Sequence, residues 1–385
     1  MKVLWICGLP RQVQREALGN QDLGAYAEWS WILGHLPPPP DVELHLACGH
    51  YRFVEPKTIP FQGASIHLVP VKVRARAYSF FQLDWLFFRE LKRKVKPDII
   101  HGWGTEDAHA WIAIKLSPEK HVVEVQGNIN AYRQRVPMPW LTALTALSER
   151  LALARARCVV AENDYSLGSA RHMIKTHSVH AIEHPIRPGF LTATQTAGEA
   201  KQILFIGGIE ERKGIWDAVH AFQNGASQDW RLAIVGGGRQ EQVAKLRRLI
   251  SDSGLATRVA HYPQLSTQEI VSLMQDCSVF LLPTRIDTGP TALKEALAMG
   301  LWPVCYDNSG PAHYIRRFRY GNLATDLNRA ALIEALKGTL AAQEWKRAEN
   351  RAKMENLVRP LFDKVNIWRE LIKLYAEIAG RKACS

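Results

Sequence analysis

Cysteine is scarce in this chain, with six in 385 residues, at positions 7, 48, 158, 277, 305 and 384, forming no CxxC pair and no cluster at metal-ligand spacing. That scatter excludes a disulfide scaffold and a zinc module, and it fits a reducing cytoplasm. Long apolar runs are also missing: none approaches the roughly 20 residues needed to span a bilayer, so any membrane role is expected to be peripheral. The opening MKVLWICGLPRQ carries one lysine and a short apolar run stopped by Pro10 and Arg11. It is too brief for a secretory signal and reads as a first strand. Acidic residues are the minority, 37 against 49 Lys and Arg, for a net charge of +12. That excess implies an anionic partner: nucleic acid, a phosphorylated metabolite or an acidic membrane surface. Zinc-finger spacing and the aromatic signature of an RNA-recognition module are both absent, so nucleic acid is not expected. No internal repeat is found.

What is present is an ordinary globular composition, 47% hydrophobic and 22% charged. At roughly 150 residues per domain the chain holds two or three domains, and two is the working count. Short apolar runs alternate with helical patterns: MKVLWICG, VELHLAC, SIHLVPV, DIIHGWG, HVVEVQG and CVVAEN, then QILFIGG, RLAIVGGG, VFLLPT and WPVCYD. Continuous apolar strands separated by helices indicate parallel sheets covered on both faces. Two doubly wound α/β domains are therefore expected. The break falls in HPIRPGFLTATQTAGEAK, residues 184–201, which places the domains at 1–190 and 191–360. After Pro360 the apolar residues recur at helical spacing, predicting a terminal helix within 361–385 that crosses back to the first domain. PPPP at 37–40 reads as a rigid spacer.

The chemistry concentrates in the second half. In DTGPTALKEALAMGLWPV, residues 287–304, Gly289 and Pro290 suit a loop entering a helix, with Pro290 at its first position and Gly300 as a left-handed cap. The amides of such a helix start favour an anion. Glu295 shares a helix face with Thr291, where a carboxylate suits a sugar or ribose hydroxyl; the alternative is an ordinary solvated glutamate. IGGIEERKG sets Arg212 and Lys213 just before a helix, placed to balance a diphosphate or simply exposed. VGGGRQE has Glu241 where a dinucleotide fingerprint needs glycine or alanine, so nicotinamide binding is not expected. Ligands of open parallel sheets bind beyond the carboxyl ends of strands, so these three loops are expected to converge.

In order and spacing, GGIEERKG, VGGG and the D-x7-E of residues 287–295 resemble the donor-binding half of retaining family 4 glycosyltransferases. The resemblance covers residues 201–315 and extends more weakly to KPDIIHGWGTEDAHA and VVEVQG. It implies the GT-B fold, two Rossmann-like domains facing a central cleft. It also implies that Glu295 binds the ribose, that Asp287 lies by the donor sugar, and that the Gly289, Pro290 and Thr291 backbone holds sugar or phosphate. Lys213 matches the family's diphosphate lysine. Three departures stand: Gly208 occupies an arginine position, for which Arg212 is a candidate substitute. Asp287 replaces the more usual glutamate, and Gln126 stands where some relatives carry histidine.

On the first domain, either Gly19 or Gly24 could approach the diphosphate, Gly24 being better placed; Gln126, at the position where some relatives carry a histidine near the reacting sugar, is a catalytic candidate, and His101 is the acceptor-side candidate. Residues 71–96 carry Lys72, Arg74, Arg76, Arg89, Lys92, Arg93, Lys94 and Lys96 around Tyr78, Phe80, Phe81, Trp85, Leu86, Phe87 and Phe88. Such a segment either rests on an anionic membrane surface or packs its aromatics inward with solvated cations. The resulting expectation is a metal-independent, retaining enzyme without a cofactor, moving a sugar from a UDP- or GDP-sugar to a glycan or lipid-linked acceptor on the cytoplasmic side. The missing Asp-x-Asp pair fits metal independence. The rivals are a nucleotide-sugar-binding protein that has lost catalysis, and an epimerase of the same fold.

Overall fold

A computed structural model describes residues 1–10, 13, 31–50, 55–71, 82–105, 108–140, 142–193 and 200–380. The described residues fall into two compact units, one of β1 (Lys2–Ile6), residues 32–184 and residues 364–380, the other of residues 185–363. Gly19, Gly24, the segment 72–81 and residues 194–199 of the expected linker lie outside the described residues.

In the first unit the apolar runs become β1, β2 (Glu43–His50), β3 (Lys57–Phe61), β4 (Ala64–Pro70), β5 (Ile99–Trp103), β6 (His121–Val125), β7 (Val159–Ala161) and β8 (Val179–Ala181). Their order is β3-β4-β2-β1-β5-β6-β7-β8, parallel throughout except for the antiparallel pair β3–β4. β3 escaped the sequence reading because KTIPF is mostly exposed and carries Pro60, which only an edge strand tolerates. Such strands as β1 and β5 are buried almost end to end, as sheets covered on both faces require.

The terminal helix Lys364–Ala379 belongs to this first unit, and three residues of the interior hold it there. Trp368 Nε1 donates to the His35 carbonyl at 2.8 Å, Trp5 Nε1 donates to the Tyr375 hydroxyl at 3.1 Å, and that hydroxyl meets His101 Nδ1 at 2.6 Å. His101 Nε2 faces Glu124 at 3.4 Å, and Glu124 in turn meets His184, whose other ring nitrogen lies 3.3 Å from Glu162. Burial first, and the His35 charge second, hold His101 well below the ordinary histidine range. Neutral His101 therefore accepts from the Tyr375 hydroxyl at Nδ1, which leaves its Nε2 hydrogen on the side facing Glu124. Tyr375→Phe is expected to cost about 1–3 kcal/mol, because it strands the buried Trp5 and His101 nitrogens; a thermal melt reads the loss.

The second unit holds β9 (Gln202–Ile206), β10 (Arg231–Val235), β11 (Val259–Tyr262), β12 (Val279–Leu282), β13 (Trp302–Tyr306) and β14 (Asn322–Ala324). Their order β11-β10-β9-β12-β13-β14 is wholly parallel. The chain winds outward from β9 in one direction and resumes from β12 in the other, so the loops after β9 and β12 leave the sheet side by side. That is the switch point where such sheets open a crevice. Beneath it lies a core that includes Phe205, Phe222, Phe280, Leu293 and Met299, each fully buried.

Candidate functional site

The site in the second unit is made from loops that touch at glycines. Gly236, after β10, lies so close to the loop after β9 that an added Cβ would sit 2.0 Å from the Gly207 carbonyl oxygen. Ile209 N donates to Gly237 O at 2.9 Å, closing that clasp. Gly214 has φ +74°, and a Cβ there would be 1.8 Å from the Pro283 carbonyl oxygen in the loop after β12. The Thr284 hydroxyl and the Arg285 amide both reach the Arg212 carbonyl at 2.9 Å. A third clasp joins Gly310 to Thr288, where a Cβ would be 1.7 Å from the carbonyl oxygen, and the Gly310 amide donates to Asp287 O at 2.8 Å.

These clasps bring Lys213, Arg212 and Asp287 together. Lys213 Nζ lies 2.5 Å from Asp287 Oδ2, and Arg212 Nη1 lies 3.5 Å from the same oxygen. Burial pulls the Asp287 carboxyl upward, but Lys213 and then Arg212 outweigh it and hold it below the ordinary aspartate value. Both cations also stand at the start of the helix Ile215–Gly225. The pair thus presents positive charge that can meet an anion while keeping the acid ionised beside it.

Pro290 is the N-cap of the helix Thr291–Ala298, so the helix starts one residue later than the sequence predicts. It closes as expected: the Gly300 amide donates to Leu297 O, the Leu301 amide donates to Ala296 O, and Gly300 has φ +73°. Glu295 shares this helix's inner face with Thr291, and it is 1% exposed, which removes the solvated-glutamate alternative. Both line a cavity of about 230 Å³ with Gly207, Gly208, Gly236 and Pro263.

The sequence reading missed Arg187, which fills one wall of that cavity. Its Nε and Nη2 meet the two Glu295 carboxylate oxygens at 2.7 Å each. The only local signal was an arginine between two prolines in HPIRPGF, which read as linker. Gly289 is half-buried in the loop leading to Pro290. Gln126 and His101 belong to the first unit: Gln126 is half-buried immediately after β6, whereas His101, inside β5, has no exposed surface and is engaged by Tyr375. Among the described residues no cluster of acids, histidines and cysteines could hold a metal.

Residues 191–357 match the family model described as "Glycosyl transferases group 1". The GDP-mannose:cellobiosyl-diphosphopolyprenol alpha-mannosyltransferase of Xanthomonas campestris is 27% identical to this chain over 217 residues, covering 54% of this chain and 56% of that protein. The chain thus spans about half the length of the curated relatives it matches. Among solved structures, sucrose-phosphate synthase from Thermosynechococcus elongatus superposes with a TM-score of 0.76 at 15% identity, covering 99% of each chain. An Anabaena protein, HepE, in complex with UDP and glucose, gives 0.73 at 13% identity, covering 98% of this chain and all of that one. The fold is GT-B, with two parallel-sheet α/β domains. The matched segment carries the glycine loops, Lys213, Asp287 and the helix Thr291–Ala298 described above.

Proposed function

We propose that the chain is a retaining, metal-independent hexosyltransferase that moves a sugar from a nucleoside diphosphate sugar to a hydroxyl of a glycan or lipid-linked acceptor. One observation carries this reading: the Lys213–Asp287 pair, 2.5 Å apart, stands beside a helix start and close in sequence to the Glu295 cavity. The diphosphate lies against Lys213, Arg212 and the amides after Gly289, and the ribose reaches Glu295. Asp287, kept ionised, accepts from a hydroxyl of the transferred sugar. The acceptor oxygen forms its bond to the anomeric carbon on the face from which the diphosphate departs, and the acceptor's proton passes to the departing phosphate oxygen. Stabilising that developing charge is the main contribution of the two cations.

The curated relatives are named for GDP-mannose, so GDP-mannose is the donor to try first, and UDP-glucose, found in a HepE complex, is the second. Gln126 is the first-domain catalytic candidate of this proposal. Peripheral attachment to an anionic membrane is supported by the helix Gln82–Val95, where Leu86 and Phe87 are exposed beside Arg89 and Arg93, whereas Phe88 is buried. No helix among the described residues is long and apolar enough to cross a membrane.

Calorimetric titration with UDP, GDP and ADP tests the donor site. Binding of one nucleotide, weakened at least tenfold by Glu295→Ala, is expected from the loss of hydrogen bonds to a charged group. Binding without turnover on any acceptor would make the chain a nucleotide-sugar-binding protein. No binding at all would remove the assignment.

A further inference from the structure

Arg187 is unusually constrained for a residue at the edge of a linker. The edge of its guanidinium formed by Nε and Nη2 meets both oxygens of Glu295 at 2.7 Å, and Nη1 meets the Thr267 hydroxyl at 3.3 Å. One face of the group lies on the Phe190 ring, 4.7 Å from its centroid. Thr267 is itself held in place, because it opens the helix Thr267–Gln275, whose capping box joins Ser266 and Glu269. The guanidinium is therefore fixed by two edges and a face, and a planar fork passes that orientation to the carboxylate it grips. Side-chain exposure is 9% for Arg187 and 1% for Glu295, so little water competes.

We infer that Arg187 is a positioning residue for the donor ribose: it stays on Glu295 and fixes the carboxylate plane so that the remaining lone pairs face the vicinal diol. A carboxylate offers about four acceptor directions, and a bidentate fork uses two of them. One direction per oxygen remains, the number a vicinal diol needs. Without the fork, the glutamate carboxylate would be free to turn about its last bond, and that turn removes an acceptor from the diol. The inference rests on the donor-site reading above. It differs from a role in diphosphate binding, because Arg187 then acts only through Glu295.

The test is calorimetric titration of the full chain with the nucleoside diphosphate it binds and with the 2′-deoxy and 3′-deoxy forms of that nucleotide. Wild type is compared with Arg187→Lys, which keeps the charge but loses the fork, and with Arg187→Gln, which offers a single amide donor. Wild type is expected to prefer the ribonucleotide about tenfold, the worth of one hydrogen bond to a charged group, and both variants should lose most of that preference while binding the deoxy forms nearly as before. Equal weakening of ribo and deoxy forms would overturn the inference, because a diphosphate contact or a merely structural role predicts that result. A wild type that binds nucleotide without preferring ribose would also overturn it, while the donor site stands. A wild type that binds no nucleotide removes the donor reading and this inference together.

Discussion

Replacing Lys213 with alanine is expected to lower kcat/KM by about two to three orders of magnitude, the range seen when one preorganised charge-stabilising donor is removed. Two losses combine. The ammonium no longer meets the charge that grows on the departing diphosphate, and Asp287 loses its nearest counter-charge, 2.5 Å away, keeping only Arg212 at 3.5 Å. Burial, the largest influence on Asp287, raises its pKa, and Lys213 is the chief influence lowering it. In the variant the balance moves upward, so Asp287 becomes protonated at a higher pH than in wild type. The acid limb of the kcat/KM profile should therefore shift toward neutrality, with wild-type activity persisting to lower pH than the variant's. Lys213→Arg, which restores a cation but not its shape, should recover part of the rate and most of the profile. A Lys213→Ala enzyme within threefold of wild type would place the diphosphate elsewhere.

The second large effect is structural. Gly214→Ala is expected to destabilise the second unit by about 3 kcal/mol or more, combining a left-handed backbone angle with a hard collision. The angle is φ +74°, and the collision is a Cβ placed 1.8 Å from the Pro283 carbonyl oxygen. Gly254 is the control, because it has φ +66° but nothing within 4 Å of an added Cβ. Gly254→Ala should cost only about 1–2 kcal/mol, the strain of the angle alone. Denaturant midpoints of the two variants separate the terms, and nucleotide titration should show that only the Gly214 variant loses affinity, since Lys213 precedes it directly. Equal midpoints would mean that the Pro283 loop yields freely and that the approach carries no constraint.

The strands that read clearly from the sequence were the central, continuously apolar ones, such as QILFI and VFLL, because burial on both faces leaves a run of one chemical character. Those that escaped were peripheral and short: β8 and β14 have three residues each, and β3 is a polar edge. The site followed the same division. Lys213, Asp287 and Glu295 announced themselves as charges set among glycines, and the structure brings Lys213 and Asp287 together at 2.5 Å. Arg187 did not, because its partner Glu295 is 108 residues away and nothing local marks a side chain whose role is to grip another. Gly310 was equally silent: its constraint is the Thr288 carbonyl oxygen, known only once two loops meet. The surroundings of His101 were not legible either: it lies inside β5 with no exposed surface, hydrogen-bonded to Tyr375, which is 274 residues away.

The three glycine clasps, Gly236 on Gly207, Gly214 on Pro283 and Gly310 on Thr288, are contacts of backbone with backbone. Apart from the Thr284 hydroxyl on the Arg212 carbonyl, the contacts reported at these clasps use no loop side chain. Side chains at Pro263, Gln264 and Leu265, which line the same cavity from outside the clasps, can therefore be exchanged without dismantling the frame. The architecture separates what must stay constant from what is free to drift, and a lineage built on it can change its choice of ligand in small steps, each leaving a folded protein. A mutational library confined to those three positions would sample new preferences at little structural risk, whereas the same number of substitutions at the clasps would mostly yield unfolded chains.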